Sequence, residues 1–255
     1  MSTPYTFPGL LNGKTALITG GGTGIGLGIA RAFGAAGAKV LIAGRRTDVL
    51  AEAAKDIPGA VPVAMDVSDR AALAGLVKGI EAEHGPIHIL VNNAGINMKK
   101  PALEVTDEEF DRVVQTNLNG LFSLTREVAK GMAARGAGAI LNITSMAAMY
   151  GIPKVPAYTA AKTGVLGLTQ SLAVEFGPLG IRVNAIAPGF IYSEMTAKAL
   201  DADPERKGKA LGRTPMQRMG QAHEVASAAV FLCSDAASFV SGVNLPVDGG
   251  NNIGF

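Results

Sequence analysis

The feature that most constrains this chain is an apolar run that breaks directly into glycines. Thr15-Ala16-Leu17-Ile18-Thr19 has the β-branched and aliphatic make-up of a strand, and Gly20-Gly21-Gly22-Thr23-Gly24-Ile25-Gly26 follows it at once. A helical pattern over 24–36 begins inside the glycine run. A backbone that turns from strand to helix this tightly, with few side chains in the way, leaves the first helical N–H groups facing open space. Such a turn suits a phosphate, because free amides and the positive end of the helix dipole both point at it. Gly20, Gly22, Thr23, Gly24, Ile25 and Gly26 are therefore candidate binding residues; the plainer alternative is a turn that only packs helix on sheet.

The same alternation recurs to the end of the chain. Strands are expected at Thr15–Thr19, Lys39–Ala43, Val61–Ala64, Ile87–Asn92, Ala139–Thr144, Arg182–Ala187 and Asn244–Val247. Helical patterns lie between them near 24–36, 47–56, 69–84, 107–134, 156–176 and 222–233. Runs such as Ile87-His88-Ile89-Leu90-Val91 are apolar on both faces, as strands inside a parallel sheet must be. The pattern predicts an α/β fold: a doubly wound, seven-stranded parallel sheet in a three-layer sandwich, with residues 1–255 as one domain. At 48% hydrophobic over 255 residues, one large core is within reach. The least regular stretch, about 190–220, holds Pro204 and Pro215 and reads either as a lid over a binding site or as a surface excursion.

Composition removes several function classes. The formal charge of +2, from 23 basic and 21 acidic residues, gives no basic stripe for nucleic acid or an anionic membrane. No run approaches 18 apolar residues and no basic-then-apolar leader opens the chain, so a soluble, cytoplasmic protein is expected. The lone Cys233, in the run Val230-Phe231-Leu232, reads as buried packing. His84, His88 and His223 lack metal-ligand spacing, and no metal is expected.

The end of the second strand bears on the choice of nucleotide. In dinucleotide folds a carboxylate there binds a ribose 2′-hydroxyl, whereas an arginine accepts a 2′-phosphate. Here Val40-Leu41-Ile42-Ala43 runs into Gly44-Arg45-Arg46, and the first carboxylate, Asp48, falls in the next helix. Arg45 offers a planar, charge-assisted fork for phosphate, which favours NADP over NAD. Two solvent-facing arginines with dual cofactor use are the alternative.

A second constellation carries chemistry. Tyr158 and Lys162 stand four apart within a helical pattern and project from one face. A free phenol titrates near pH 10, too high for acid–base work near neutrality, and a neighbouring ammonium should lower it. Ser145 follows the strand Ile140-Leu141-Asn142-Ile143-Thr144, where a hydroxyl can hydrogen-bond a substrate carbonyl. Taken alone, the Tyr/Lys spacing is equally a helix face carrying its own polar residues.

From Gly13 to Gly250 these residues resemble the short-chain dehydrogenases/reductases. The resemblance adds Asp66-Val67, Asn92-Asn93-Ala94-Gly95, Asn117, Pro188-Gly189 and Val247-Asp248-Gly249-Gly250 to the glycine turn, Ser145 and the Tyr158/Lys162 pair. It implies a Rossmann-type fold and a nicotinamide-dependent oxidoreductase acting on a carbonyl/alcohol pair. Asp66 would contact the adenine amino group, Val67 would flank the ring, and Asn93, Ala94 and Gly95 would line the cofactor cleft. Lys162 would also bind the nicotinamide ribose, and Asn117 would hold a water relaying protons to Lys162. Pro188, Gly189 and Ile191 would border the nicotinamide. Ser193 stands where the family often has threonine and keeps the hydroxyl. The segment after it would be a substrate lid, and the assembly a homotetramer.

The substrate is a small molecule whose class is less firmly written. Leu11–Gly20 and Arg213-Thr214-Pro215-Met216-Gln217-Arg218-Met219-Gly220 are similar to gluconate 5-dehydrogenases and related sugar dehydrogenases. Lys99, Lys100 and Arg213 would then help hold a carboxylate or polyol, unless they are surface charge. A 3-oxoacyl-(acyl-carrier-protein) reductase or a broad ketone reductase is the alternative, since Pro188-Gly189-Phe190-Ile191 and Glu194-Met195-Thr196 suit it too. A nucleotide-binding protein without catalysis would lack Tyr158 or Lys162. Epimerase or dehydratase chemistry would call for a longer C-terminal domain than the five residues after Gly250.

Overall fold

The computed structural model describes residues 7–192 and 204–254. Seven strands form one all-parallel sheet: β1 (Thr15–Thr19), β2 (Lys39–Gly44), β3 (Val61–Ala64), β4 (Ile89–Asn92), β5 (Gly138–Ile143), β6 (Ile181–Pro188) and β7 (Asn244–Val247). Their spatial order is β3-β2-β1-β4-β5-β6-β7. The helices are α1 (Gly24–Ala35), α2 (Thr47–Lys55), α3 (Leu73–His84), α4 (Asp107–Val114), α5 (Leu121–Arg135), α6 (Pro156–Phe176), α7 (Pro204–Gly212) and α8 (Ala222–Cys233).

Two cores, one on each face, follow from the period-two alternation of side chains along a strand. Ala16, Ile18, Val40, Ile42, Ile89, Val91 and Leu141 face one core with residues of α1, α2 and α8. Leu17, Leu41, Leu90 and Ile140 face the other, with residues of α3, α5 and α6. This explains the continuous apolar runs: the inner strands β1, β2, β4, β5 and β6 are buried on both sides, whereas the edge strands β3 and β7 are partly exposed. Gly28 lets α1 approach α8, since a Cβ there would lie 2.7 Å from that of Ala222.

The helix expected over 107–134 is not continuous. Thr106 and Glu109 form a capping box at the start of α4, and the chain then widens into a π-helical turn, Gln115–Gly120, before α5. An apolar periodicity runs through both helices, so the insertion leaves no mark in the pattern. The expected strand at 87 begins at Ile89, and the helix expected from 69 begins at Leu73 because 66–72 make tight turns, Asp69 N to Asp66 O and Ala72 N to Asp69 O. No helix among the described residues is long and apolar enough to cross a membrane.

Candidate active site

Strand order reverses between β1 and β4, and in such sheets ligands sit in the crevice at the carboxyl ends of the strands on either side. Thr19, the last residue of β1, laces that crevice. Its Oγ1 accepts from Asn93 N and Ala94 N, both at 3.0 Å, and donates to Val91 O at 3.2 Å. Asn93 Nδ2 returns bonds to Thr19 O and Gly20 O. The turn then needs glycine. Gly20 has φ +65°, with Asn93 Nδ2 only 2.8 Å from where a Cβ would stand, and a Cβ on Gly26 would meet Gly20 O at 2.2 Å. Thr23 precedes α1 in extended backbone with no side-chain cap bond, and the first turn of α1 holds no acid. The helix therefore opens with free donors.

A cleft of about 380 Å³ runs across these ends. Gly20, Gly22, Thr23, Gly24 and Ile25 line its middle, Arg45, Asp66 and Val67 its β2–β3 end, and Asn93, Ala94, Gly95 and Ile191 its β4 side. Gly26 does not line it; that glycine permits close packing of α1 against the turn. Arg46, Ile96, Thr116 and Tyr192 also line the cleft and were missed. Arg46 was legible as the second half of the arginine pair; Thr116 was hidden because it sits on the π turn.

At the β2–β3 end, Arg45 is well exposed and its Nη1 lies 4.0 Å from Asp66 Oδ2. Hydrogen bonds from the Ser68 hydroxyl and amide hold the Asp66 carboxyl below its ordinary range, with the Arg45 charge adding to them. Glycines whose Cβ positions are occupied, an uncapped helix and an exposed guanidinium are the donors and space that a phosphorylated dinucleotide needs. The residues fit such a group.

Ser145 follows β5 by two residues, and its Oγ accepts from Ala147 N at 3.1 Å, which starts a 3₁₀ turn, Met146–Ala148. Tyr158 and Lys162 lie on α6 as the spacing required, with Lys162 Nζ 5.7 Å from the centre of the Tyr158 ring. Lys162 is buried, and Nζ donates to Ile143 O at 2.6 Å. Burial pushes its pKa down to about 8. Burial also raises the Tyr158 phenol, opposed by a hydrogen bond with the Ser145 side chain. The phenol is thus raised and not lowered as expected, with burial the largest influence and the Ser145 hydrogen bond, not the Lys162 ammonium, opposing it. Asn117 is fully buried on the π turn, its amide clamped to Ile96 N and O, both at 2.8 Å. Gly95 separates it from Lys162: a Cβ there would lie 3.0 Å from Asn117 Oδ1 and 3.8 Å from Lys162 Nζ.

Pro188 and Gly189 close β6, where a Cβ on Gly189 would meet Asp248 Cα at 2.7 Å. Ile191 bridges to Gly220, so the two ends of the expected lid are tied together at its base. Ser193 and positions 193–203 of that lid lie outside the described residues. The expected basic group does not form one cluster. Lys100 pairs with both oxygens of Glu109, at 3.1 and 2.8 Å, whereas Arg213 stacks on Tyr150. The residue reading also missed a buried polar chain: Asn92 Nδ2 donates to Thr125 Oγ1 and Asn142 Oδ1, and Asn142 Nδ2 to Thr169 Oγ1. Its signal was an asparagine near the end of each of two otherwise apolar strands.

Residues 20–252 match a family model described as enoyl-(acyl carrier protein) reductase. The chain is 41% identical to gluconate 5-dehydrogenase of Gluconobacter oxydans over 254 residues, 98% of each chain. It is 39% identical to the 3-oxoacyl-(acyl-carrier-protein) reductase of Thermotoga maritima over 245 residues, 94% of this chain and 98% of that one. A solved gluconate 5-dehydrogenase from Burkholderia cenocepacia, in complex with NADP and tartrate, superposes with a TM-score of 0.91 at 36% identity, covering 96% of this chain and 97% of that one.

Proposed function

The chain belongs to the short-chain dehydrogenase/reductase family, and from that premise we propose that it is an NADP(H)-dependent oxidoreductase interconverting a ketone and a secondary alcohol on a sugar or sugar acid. The observation that carries the chemistry is the buried Lys162 beside Tyr158, with the Ser145 hydroxyl hydrogen-bonded to the phenol. When bound, NADPH supplies a hydride for the carbonyl carbon. The glycine turn and Thr23 would hold its pyrophosphate, Arg45 its 2′-phosphate, Asp66 and Val67 its adenine, and Pro188, Gly189 and Ile191 its nicotinamide end. Ser193, outside the described residues, would add a hydroxyl there.

In this reading Tyr158 Oη gives its proton to the carbonyl oxygen as negative charge develops on it, and Ser145 Oγ donates a hydrogen bond to the same oxygen. The Lys162 ammonium stabilises the phenolate left behind, and Asn117, across Gly95, would hold a water that relays protons to Lys162. The reverse reaction uses Tyr158 as the base. Following NADPH consumption with 5-ketogluconate and, in parallel, an acetoacetyl thioester tests the substrate class. Turnover of the keto acid supports this reading. Turnover of the thioester alone would move the protein to the second reading, acyl reduction, which the 39% identity to an acyl-carrier-protein reductase favours.

We also propose a cytoplasmic homotetramer. β7 is a half-exposed edge strand, and Val174, Phe231 and Phe239 present apolar surface to solvent, which a second copy would cover. A monomeric mass in solution would remove the tetramer. The free thiol of Cys233 fits a reducing compartment.

A further inference from the structure

Arg213 is held in one orientation by three contacts. Its Nε donates to Asn251 O at 2.9 Å, its guanidinium carbon lies 4.2 Å from the centre of the Tyr150 ring, and its backbone N donates to Lys209 O. Asn251 is wholly buried and locks the support beneath: its Oδ1 accepts the Tyr150 hydroxyl, and its Nδ2 donates to Thr214 Oγ1 at 2.9 Å. The outer edge of the fork is left over. Nη1 and Nη2 have no acceptor, and no carboxylate pairs with them, among the described residues. Asp248, the acid of this C-terminal segment, is committed to the amides of Gly250 and Asn252 at 3.0 and 2.7 Å.

Two connections tie the cluster to Ser145 and to the end of β6. Tyr150 follows Ser145 by a pair of tight turns, with Ala148 N bonded to Ser145 O and Tyr150 N to Met146 O. On the other side, Asp248 packs against Gly189, the residue that borders the end of β6. Arg45 stands with Asp66 beyond β2, at the β2–β3 end of the cleft. A planar cation frozen on an aromatic face, with its two terminal nitrogens unpaired and its support built on the segments that follow Ser145 and β7, has the geometry of a carboxylate receptor. We infer that Arg213 recognises the carboxylate of a sugar-acid substrate, and that Tyr150 and Asn251 position it. The inference rests on the sugar-acid reading above and selects Arg213 from the three basic residues considered for that task.

The test compares kcat/KM for 5-ketogluconate with that for a neutral ketose, fructose, in wild type and in R213A, R213K and N251A, each checked for an unchanged melting profile. In R213A the preference for the acid should fall about 10- to 100-fold, the range for losing a charge-assisted pair. R213K should recover only part of it, because an ammonium cannot form the fork. N251A should raise KM for the acid more than it lowers kcat, as expected of a positioning residue. Calorimetry of gluconate binding to the NADP⁺-loaded protein gives a readout without turnover, and R213A should weaken it to a similar degree. An unchanged acid preference in R213A, or gluconate binding equally to both proteins or to neither, overturns the inference while leaving the oxidoreductase reading intact. Arg213-dependent gluconate binding by a protein that reduces no ketone would uphold the carboxylate site and reject the redox reading.

Discussion

A lysine that is buried beside a phenol loses the solvation of its charge and holds its proton weakly even with a main-chain carbonyl to donate to, and burial pushes Lys162 down to about 8. If its positive charge stabilises the Tyr158 phenolate, reduction requires the protonated form of both groups in the free enzyme. The phenol is raised by burial and keeps its proton well into the alkaline range, so Lys162 sets the alkaline limb. The kcat/KM for reduction should fall about tenfold per pH unit above roughly pH 8; a profile flat to pH 9.5 would reject the ammonium's role. Tyr158→Phe should lower kcat by about 10²- to 10⁴-fold, the usual contribution of a positioned acid, with the NADPH dissociation constant nearly unchanged. Near wild-type turnover in that variant would make the assignment wrong. Arg45 is a separate matter of charge: Arg45→Asp should raise KM for NADPH by about 10- to 100-fold, consistent with loss of a charge-assisted phosphate contact, and should raise KM for NADH far less. Equal effects on the two cofactors would show that Arg45 does not read the 2′-phosphate.

Among the elements, the π turn Gln115–Gly120 is one that periodicity could not reveal, and it is also where Asn117 sits. The widened turn is pressed against the β3–α3 connection. Gln115 Nε2 bonds Ser68 O at 3.3 Å, and a Cβ on Gly120 would lie 2.3 Å from Val67 O. Gly120→Ala therefore forces backbone apart, which should cost about 1–3 kcal/mol. Each kcal/mol corresponds to roughly 2–4 °C in Tm for a chain of this size. Gly79, on the exposed side of α3 with nothing within 4 Å of a Cβ, is the matched control. Gly79→Ala should stabilise by about 0.4–1 kcal/mol through the unfolded chain. Thermal melting of the two variants decides it, and a Gly120→Ala protein as stable as wild type would mean the turn relaxes freely. Helix α7, Pro204–Gly212, was not legible either, because it lies in the stretch read as irregular; the remaining helices were legible within a few residues of their ends because their apolar stripes are local signals. A π insertion depends on what the helix packs against, which a single helical pattern does not encode.

Across the whole molecule, the inner strands were legible because each is buried on both faces, and the cleft because glycines occur where a Cβ would collide. Tyr158 and Lys162 could be put on one helix face from spacing, and Ser145 joined them only together with the glycine turn and the rest of the motif set. The Tyr150–Arg213–Asn251 contacts could not, because they join a loop, the end of α7 and the C-terminal segment, and no period links those. The protonation of Lys162 was also illegible, because it depends on burial from every side. That burial should be visible in global stability. In the unfolded chain the lysine titrates near its model value of 10.5, and in the cofactor-free fold near 8. Below pH 8 both states are protonated, and the fold bears the full cost of a buried charge. Between about 8 and 10.5 the unfolded chain binds more protons than the native one, so this residue makes stability rise with pH, by at most about 1.4 kcal/mol per unit. Lys162→Met removes the titrating group while keeping its length. The stability of wild type minus that of Lys162→Met, measured by urea unfolding at intervals from pH 7 to 10.5, should be flat up to about pH 8 and then climb. A difference that stays level, or falls, across that window would mean that Lys162 keeps an ordinary pKa in the native fold, and the alkaline limb in the rate would then need another owner.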